Sequence, residues 1–358
     1  MIFPFSEPQG DLWQALSATK KTIVLYGMGN GADKILRVCE RFGIEVADFF
    51  ASDGFVRGHS FHGKRVLSYT EVKEKYGAEN LIVLLSFASS LPDVLSLFDR
   101  VADECELYAP DVPVCGETLF DFAFYLAHRN ELAEVYSLLA DDESRRIFEC
   151  VLRYKLSGKI SDLRAVESNK DEIYRDLLRA EEITSVADLG AYNGDTIREL
   201  MAYSPKLSEA WAFEPDRRSF RKLSDFSAAL TFPKIHTVHA AAWSENTALS
   251  FADTGNRNAG AFALGKQIEV EAKSLDSVLG DARIDYIKYD VEGAEREAIL
   301  GSEKTIAAYR PRLLVSIYHR SEDLFALPLL LHEKFPEYRF YLRRTPYVPA
   351  WDLNLICL

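Results

Sequence analysis

The chain is poor in cysteine. Five residues in 358, Cys39, Cys105, Cys115, Cys150 and Cys357, lie far apart, and none forms a CxxC pair. That spacing argues against a cysteine-built zinc site. The odd count predicts reduced thiols, buried as small hydrophobes. No apolar run is long enough to cross a bilayer. The opening MIFPFSEPQG lacks the basic start and apolar stretch of a signal peptide. A cytoplasmic protein with no membrane span is expected. Positive charge is also scarce, with 42 Lys and Arg against 55 Asp and Glu, a net charge of −13. Such a surface repels phosphate backbones, so nucleic acid is not expected as a partner. The basic stretch Arg217-Arg218 with Arg221-Lys222 reads as a solvated helix face. Internal repeats and low-complexity tracts are missing too, which excludes solenoid architectures.

What is present is an ordinary globular balance, 48% hydrophobic and 27% charged, over a length that suits two domains. Three regions follow from the patterning. Residues 1–114 read as a small Rossmann-like α/β domain. KTIVLYGMGNGADKILRVCERFGIEVADFF gives strand, glycine turn, helix and strand, with Ile35, Val38 and Phe42 at helical spacing. NLIVLLSFAS and ECELYAP are further strands. Residues 115–180 read as a helical connector, in which Asp141 and Asp142 cap a helix whose stripe is Ile147, Phe148, Val151 and Leu152, and Gly158 stops it. Residues 181–358 alternate strands and helices again: ITSVADLGAYNGDTIREL, EAWAFEPD, HTVHAAAW, IDYIKYDVEG and PRLLVSIYH, closed by YRFYLRRT and DLNLICL as a hairpin. Alternation of this kind predicts parallel sheets with helices on their faces.

In ADLGAYNGDT an apolar strand runs into Asp188, Gly190 and Gly194 before a helix. This turn falls at the carboxyl edge of a parallel sheet, where open α/β folds bind ligands. The phosphate fingerprint G-x-G-x-x-G is missing. A ligand without phosphates but with an amino-acid tail fits better. Asp188 is suited to its ammonium, and Asn193 to Thr196, at the helix start, to its carboxylate. An ordinary βα turn is the competing account. Glu214 ends the next strand, 24 residues after Gly190, where an acid can accept both ribose hydroxyls. Ala242 and Trp243, after small residues, suit an adenine ring, although core packing would also account for the tryptophan. KYDVEGAE places Asp290, Glu292 and Glu295 at one strand end, a costly grouping unless it has a role or caps the helix. Asp276 reads as structural.

These segments, ADLGAYNGDT, FEPD, AAAW, SLDS and KYDVEGAE, resemble in content and order the FkbM family of S-adenosylmethionine-dependent methyltransferases, over roughly residues 165 to 358. The resemblance implies a class I Rossmann-like methyltransferase domain that takes S-adenosylmethionine. It implies methyl transfer to a hydroxyl of a saccharide, glycoconjugate or similar small-molecule acceptor. It implies a cofactor pocket that includes Asp188, Gly190, Ala191, Tyr192, Asn193, Asp195, Thr196, Glu214, Pro215, Ala242, Trp243 and Asp290. By the same resemblance Tyr174 is an aromatic over the cofactor. N-methylation of an amino sugar, or a non-catalytic protein binding S-adenosylmethionine or a nucleotide-sugar, are the alternatives.

An alcohol acceptor must lose a proton during transfer, and His319, at the end of the fifth strand, is the candidate base, with Asp290 orienting it or sharing the task. A structural histidine within YHRSED is the competing account. Asp290, Glu292 and His319 offer ligands for a divalent ion, but no spacing motif demands one and no metal is assigned. Arg320 and Arg343-Arg344 read either as contacts for an acidic substrate or as exposed arginines. In the first domain Gly27, Gly29 and Ala32, with Asp53 after the next strand, form a weak dinucleotide fingerprint. That domain is open to a nucleotide, a nucleotide-sugar, the acceptor, or a purely structural or homodimer-forming role. His59 and His62 read as loop residues.

Overall fold

The computed structural model describes residues 9–56, 58–253 and 266–358. The opening segment MIFPFSEP lies outside the described residues. The first sheet consists of β1 (Thr22–Tyr26), β2 (Asp48–Ala51), β3 (Leu67–Ser68), β4 (Leu81–Leu85) and β5 (Glu106–Tyr108). All its pairings are parallel, in the order β3-β2-β1-β4-β5. The apolar runs in β1 and β4 are buried, as a sheet covered on both faces requires. Helix α1 (Asn30–Arg41) follows β1 and buries Ala32, Ile35 and Val38 on the sheet.

A run of helices follows. The longest, α2 (Asp142–Ser157), is capped by Asp141, which accepts from the Ser144 N–H, and ends on Gly158 in the left-handed conformation. It buries Ile147, Phe148, Val151 and Leu152. Its start is tied to the far edge of the second sheet, because Ser144 Oγ accepts from the Leu342 N–H at 2.8 Å.

The second sheet contains β6 (Ser185–Leu189), β7 (Glu209–Phe213), β8 (Lys234–Val238), β12 (Tyr286–Tyr289), β13 (Arg312–Ser316), β14 (Phe340–Arg344) and β15 (Leu353–Cys357). Its order is β8-β7-β6-β12-β13-β15-β14, parallel except for β15, which runs antiparallel to both neighbours. Between β8 and β12 a small separate sheet is inserted, made of β9 (Ala241–Ala242), β10 (Thr247–Asp253) and β11 (Lys266–Lys273). HTVHAAAW therefore does not run as the single strand its pattern suggests. It breaks after Val238, and Ala241-Ala242 pairs with β11 instead. One contiguous apolar core runs from Val24 and Phe98 through Phe148 and Tyr154 to Leu313 and Leu355, so both sheets and the helices between them share it. No helix among the described residues is long and apolar enough to cross a membrane.

Candidate active site

The strand order reverses between β6 and β12, and it is at such a switch point that an open α/β sheet leaves a crevice. Asp188 is the last residue but one of β6, and Asp290 directly follows the last residue of β12. Asp188 is fully buried, and neither of its carboxylate oxygens has a hydrogen-bond partner. Lys288 Nζ stands 3.7 Å away, too far for a hydrogen bond. Burial pushes the Asp188 carboxyl up to about 6, against the pull of Lys288.

Gly190 has φ +87°, and a Cβ there would lie 1.9 Å from the Asp290 carbonyl oxygen. Only glycine lets the two strand ends close this far. The N–H groups of Gly190 and Ala191 both donate to the Phe213 carbonyl. Tyr192 adopts φ 46° and donates its N–H to Glu214 Oε2 at 2.8 Å. Asn193 Oδ1 is buried without a partner. Asp195 opens the helix α3 (Asp195–Tyr203) and accepts from the Thr196 N–H. The N–H groups of Gly194 and Thr196 are thus engaged within the turn. Asn193 is left as the side chain with an unanswered polar atom.

Glu214, 7% exposed, also accepts from the Asp216 N–H at 2.7 Å. Burial raises its carboxyl to about 7 in spite of the two backbone donors. Pro215 separates it from Asp216, which caps the following helix. Ala242 is buried, while Trp243 packs with Ala241, Ala272, Leu249 and Val270 of the small sheet. Tyr174 is buried and stacks on Tyr203, with ring centroids 4.6 Å apart.

The second group of residues is acidic. Asp290 keeps 30% of its side chain exposed and meets Lys288 Nζ at 3.0 Å, while Tyr318 Oη donates to its other oxygen at 3.2 Å. Burial would raise its carboxyl, but Lys288 and His319 outweigh it and hold the group down to about 2. His319 is fully buried, with Nδ1 in ion contact with Glu295 Oε1 at 2.9 Å. Its Nε2 lies 3.6 Å from Asp290 Oδ1 and 3.7 Å from Glu292 Oε2. Burial disfavours the imidazolium, yet the carboxylates of Glu295, Glu292 and Asp290 carry the ring's pKa up to about 10. In this state His319 holds a proton at neutral pH and must surrender it before it can act as a base.

The first sheet closes over this group. Cys115 donates its N–H to the His319 carbonyl at 2.8 Å and its thiol to the Glu292 carbonyl at 2.9 Å. Lys34 of α1 holds the Pro113 and Val114 carbonyls. Ser89, beyond β4, exchanges backbone hydrogen bonds with Val348 at 2.9 and 3.0 Å. The carboxyl edges of both sheets therefore meet here.

Several sequence candidates lie elsewhere. Arg343 pairs with Asp141 at 2.6 Å and Glu143 at 3.2 Å, and Arg344 is fully buried against the Leu163 and Tyr347 carbonyls. Both tie the helical segment to β14 and are not placed to meet a substrate. Arg320 Nε donates to the Gly293 carbonyl. Asp276 accepts from the Lys304 and Thr305 N–H groups, a structural cap. Asp53 turns to the Thr70 hydroxyl, and His62 to Asp33. Lys288 was not picked out from sequence, although its position two residues before Asp290 puts both on one strand face. Glu295 was legible only as a helix-start acid. In the structure its carboxylate folds back to the Val291 N–H and reaches His319.

A doubly wound parallel sheet with a reversed closing hairpin is the fold of Rossmann-like methyltransferases. The model of the methyltransferase FkbM domain matches residues 188–349, from the end of β6 to the loop before β15, and marks this part of the chain as an S-adenosylmethionine-dependent methyltransferase domain. The methyltransferase FkbM from Methylobacillus flagellatus KT superposes with TM-score 0.73 over 98% of this chain and 91% of its own, at 20% identity. At that identity the likeness speaks to the fold alone, which it covers almost end to end. An rRNA methylase from Streptococcus thermophilus matches 53% of this chain and 96% of its own at 15% identity and TM-score 0.35, too remote to add to it. No curated protein matches.

Proposed function

We propose that the chain transfers a methyl group from S-adenosylmethionine to a hydroxyl oxygen of a saccharide-containing acceptor, at the edge where β6, β7 and β12 end. The observation that carries this reading is the set of buried, unanswered oxygens on Asp188 and Asn193 beside Glu214. Buried polar atoms without partners are costly, and a ligand with an ammonium and a polar tail satisfies them. The cofactor supplies an electrophilic sulfonium methyl when bound. Asp188 accepts the ammonium. Each Glu214 oxygen accepts one backbone N–H and has a lone pair left for a ribose hydroxyl. Asp290, partly exposed, orients the acceptor hydroxyl and takes up its proton as the methyl–oxygen bond forms and the methyl–sulfur bond breaks to leave S-adenosylhomocysteine, and the His319 cation behind it fixes that carboxylate. Residues 1–114 form the unit that presents the acceptor, 115–180 the connector and 181–358 the transferring unit.

A carboxylate held near 2 orients a hydroxyl better than it deprotonates one. That favours a second reading, transfer to an amino sugar, whose neutral nitrogen attacks with its own lone pair. Incubation with methyl-labelled S-adenosylmethionine and a panel of hydroxylated and amino saccharides separates the two. Label on oxygen is expected, and label on nitrogen selects the second reading. Retained cofactor with no S-adenosylhomocysteine from any acceptor would make the chain a binding protein.

A further inference from the structure

The geometry points to a divalent metal site formed by Asp290, Glu295 and His319, with Glu292 positioned to close it. One ligand atom from each of the first three falls within 4.8 Å of the others. Acids grouped at a helix start are common without an ion. Two further atoms distinguish this group. His319 and Glu295 are both fully buried, and His319 Nε2 and Glu295 Oε2 each lack any hydrogen-bond partner. His319 Nε2 lies between Asp290 and Glu292, at 3.6 and 3.7 Å, while Glu295 Oε1 is held against Nδ1 at 2.9 Å.

The spacing is informative. At 3.6 and 3.7 Å from the two carboxylate oxygens, Nε2 is beyond hydrogen-bond reach of either. Ligands held at about 2.0–2.2 Å around one ion stand roughly 3–4 Å apart, which is the separation seen. Charge points the same way. Three carboxylates, those of Asp290, Glu292 and Glu295, face a single imidazole, and Lys288 is shared between Asp290 and Asp188. A divalent cation on Nε2 takes the place of the ring's proton and offsets the three carboxylates. Glu292 keeps 39% of its side chain exposed and can swing onto the ion. One imidazole with carboxylates suits Mn²⁺ or Zn²⁺ better than Ca²⁺ or Mg²⁺.

The site deepens the methyl-transfer reading, since the ion would lie beside Asp290, where the acceptor hydroxyl is placed. It does not need that reading to be detected. The probe is Mn²⁺ alone, titrated into the EDTA-treated full-length protein without cofactor and followed by electron paramagnetic resonance. A single saturable site is expected. Glu292→Gln, on an exposed side chain that leaves the fold intact, should weaken it about tenfold, and Asp290→Asn more. His319→Gln should abolish it, with folding checked by circular dichroism. Absence of saturable binding in the folded protein would overturn the site, as would binding that all three variants retain. Mn²⁺ binding without S-adenosylmethionine binding would leave the site standing and remove the methyl-transfer reading. The opposite pattern would do the reverse.

Discussion

Replacing Glu214 by glutamine separates the two things this carboxylate does. Its ordinary value of 4.5 rises to about 7 in the fold, chiefly through burial. The folded chain thus binds this proton more tightly than the unfolded chain. Stability from this group is fully present below about 4.5, falls as pH rises towards 7, and is flat above. The difference corresponds to about 3 kcal/mol at most. Glu214→Gln removes that pH dependence. The variant also loses an acceptor, since an amide cannot serve both the Tyr192 and Asp216 N–H groups. That loss costs about 1–3 kcal/mol at every pH. The readout is therefore the change with pH of the stability difference between the two proteins, measured by urea unfolding from pH 4.5 to 8. Asp323, raised to about 7, titrates in both and cancels, while Asp188, raised to about 6, repels the Glu214 carboxylate and so contributes to the same difference. Cofactor binding should add a second signature. Ribose hydroxyls donate to the carboxylate and draw off its proton, so the wild-type affinity should rise up to about tenfold per pH unit below 7. The variant should lose that component. Equal pH slopes in the two proteins, for stability and for binding, would refute the placing of this carboxylate in a buried, ribose-accepting position.

Gly190→Ala puts a Cβ 1.9 Å from the Asp290 carbonyl at φ +87°, so a loss of about 3 kcal/mol or more is expected in thermal or urea unfolding. Asn193→Ala removes an oxygen with no partner in the fold, so the melting temperature should hold while cofactor affinity drops about tenfold by calorimetry. Arg343→Ala leaves Asp141 and Ser144 without their buried partner and should cost about 2–4 kcal/mol with an unchanged cofactor dissociation constant.

The parts of the fold visible in the sequence were those with short-range signals. The apolar runs ending in Gly27 and Gly190, the cap at Asp141 and the stop at Gly158 are each set by neighbours along the chain. The split of HTVHAAAW was not visible, because both halves read as strand and only pairing with β11 separates them. At the site, Asp188, Asn193 and Glu214 could be placed at strand and turn ends by spacing. The state of His319 could not. It depends on Glu295, 24 residues away in sequence, folding its carboxylate back beneath the ring. Arg343 and Arg344 looked like free surface charges because their partners, Asp141 and the Leu163 carbonyl, come from another region of the chain.

Titration calorimetry of S-adenosylmethionine into the full-length protein, beside Asp188→Asn, tests the cofactor site most directly. Saturable one-to-one binding is expected, weakened at least about tenfold in the variant, because an amide no longer pairs as an anion with the cofactor's ammonium. A folded wild type that gives no saturable heat would contradict the assignment of the Asp188, Asn193 and Glu214 pocket, as would an Asp188→Asn variant that binds equally well.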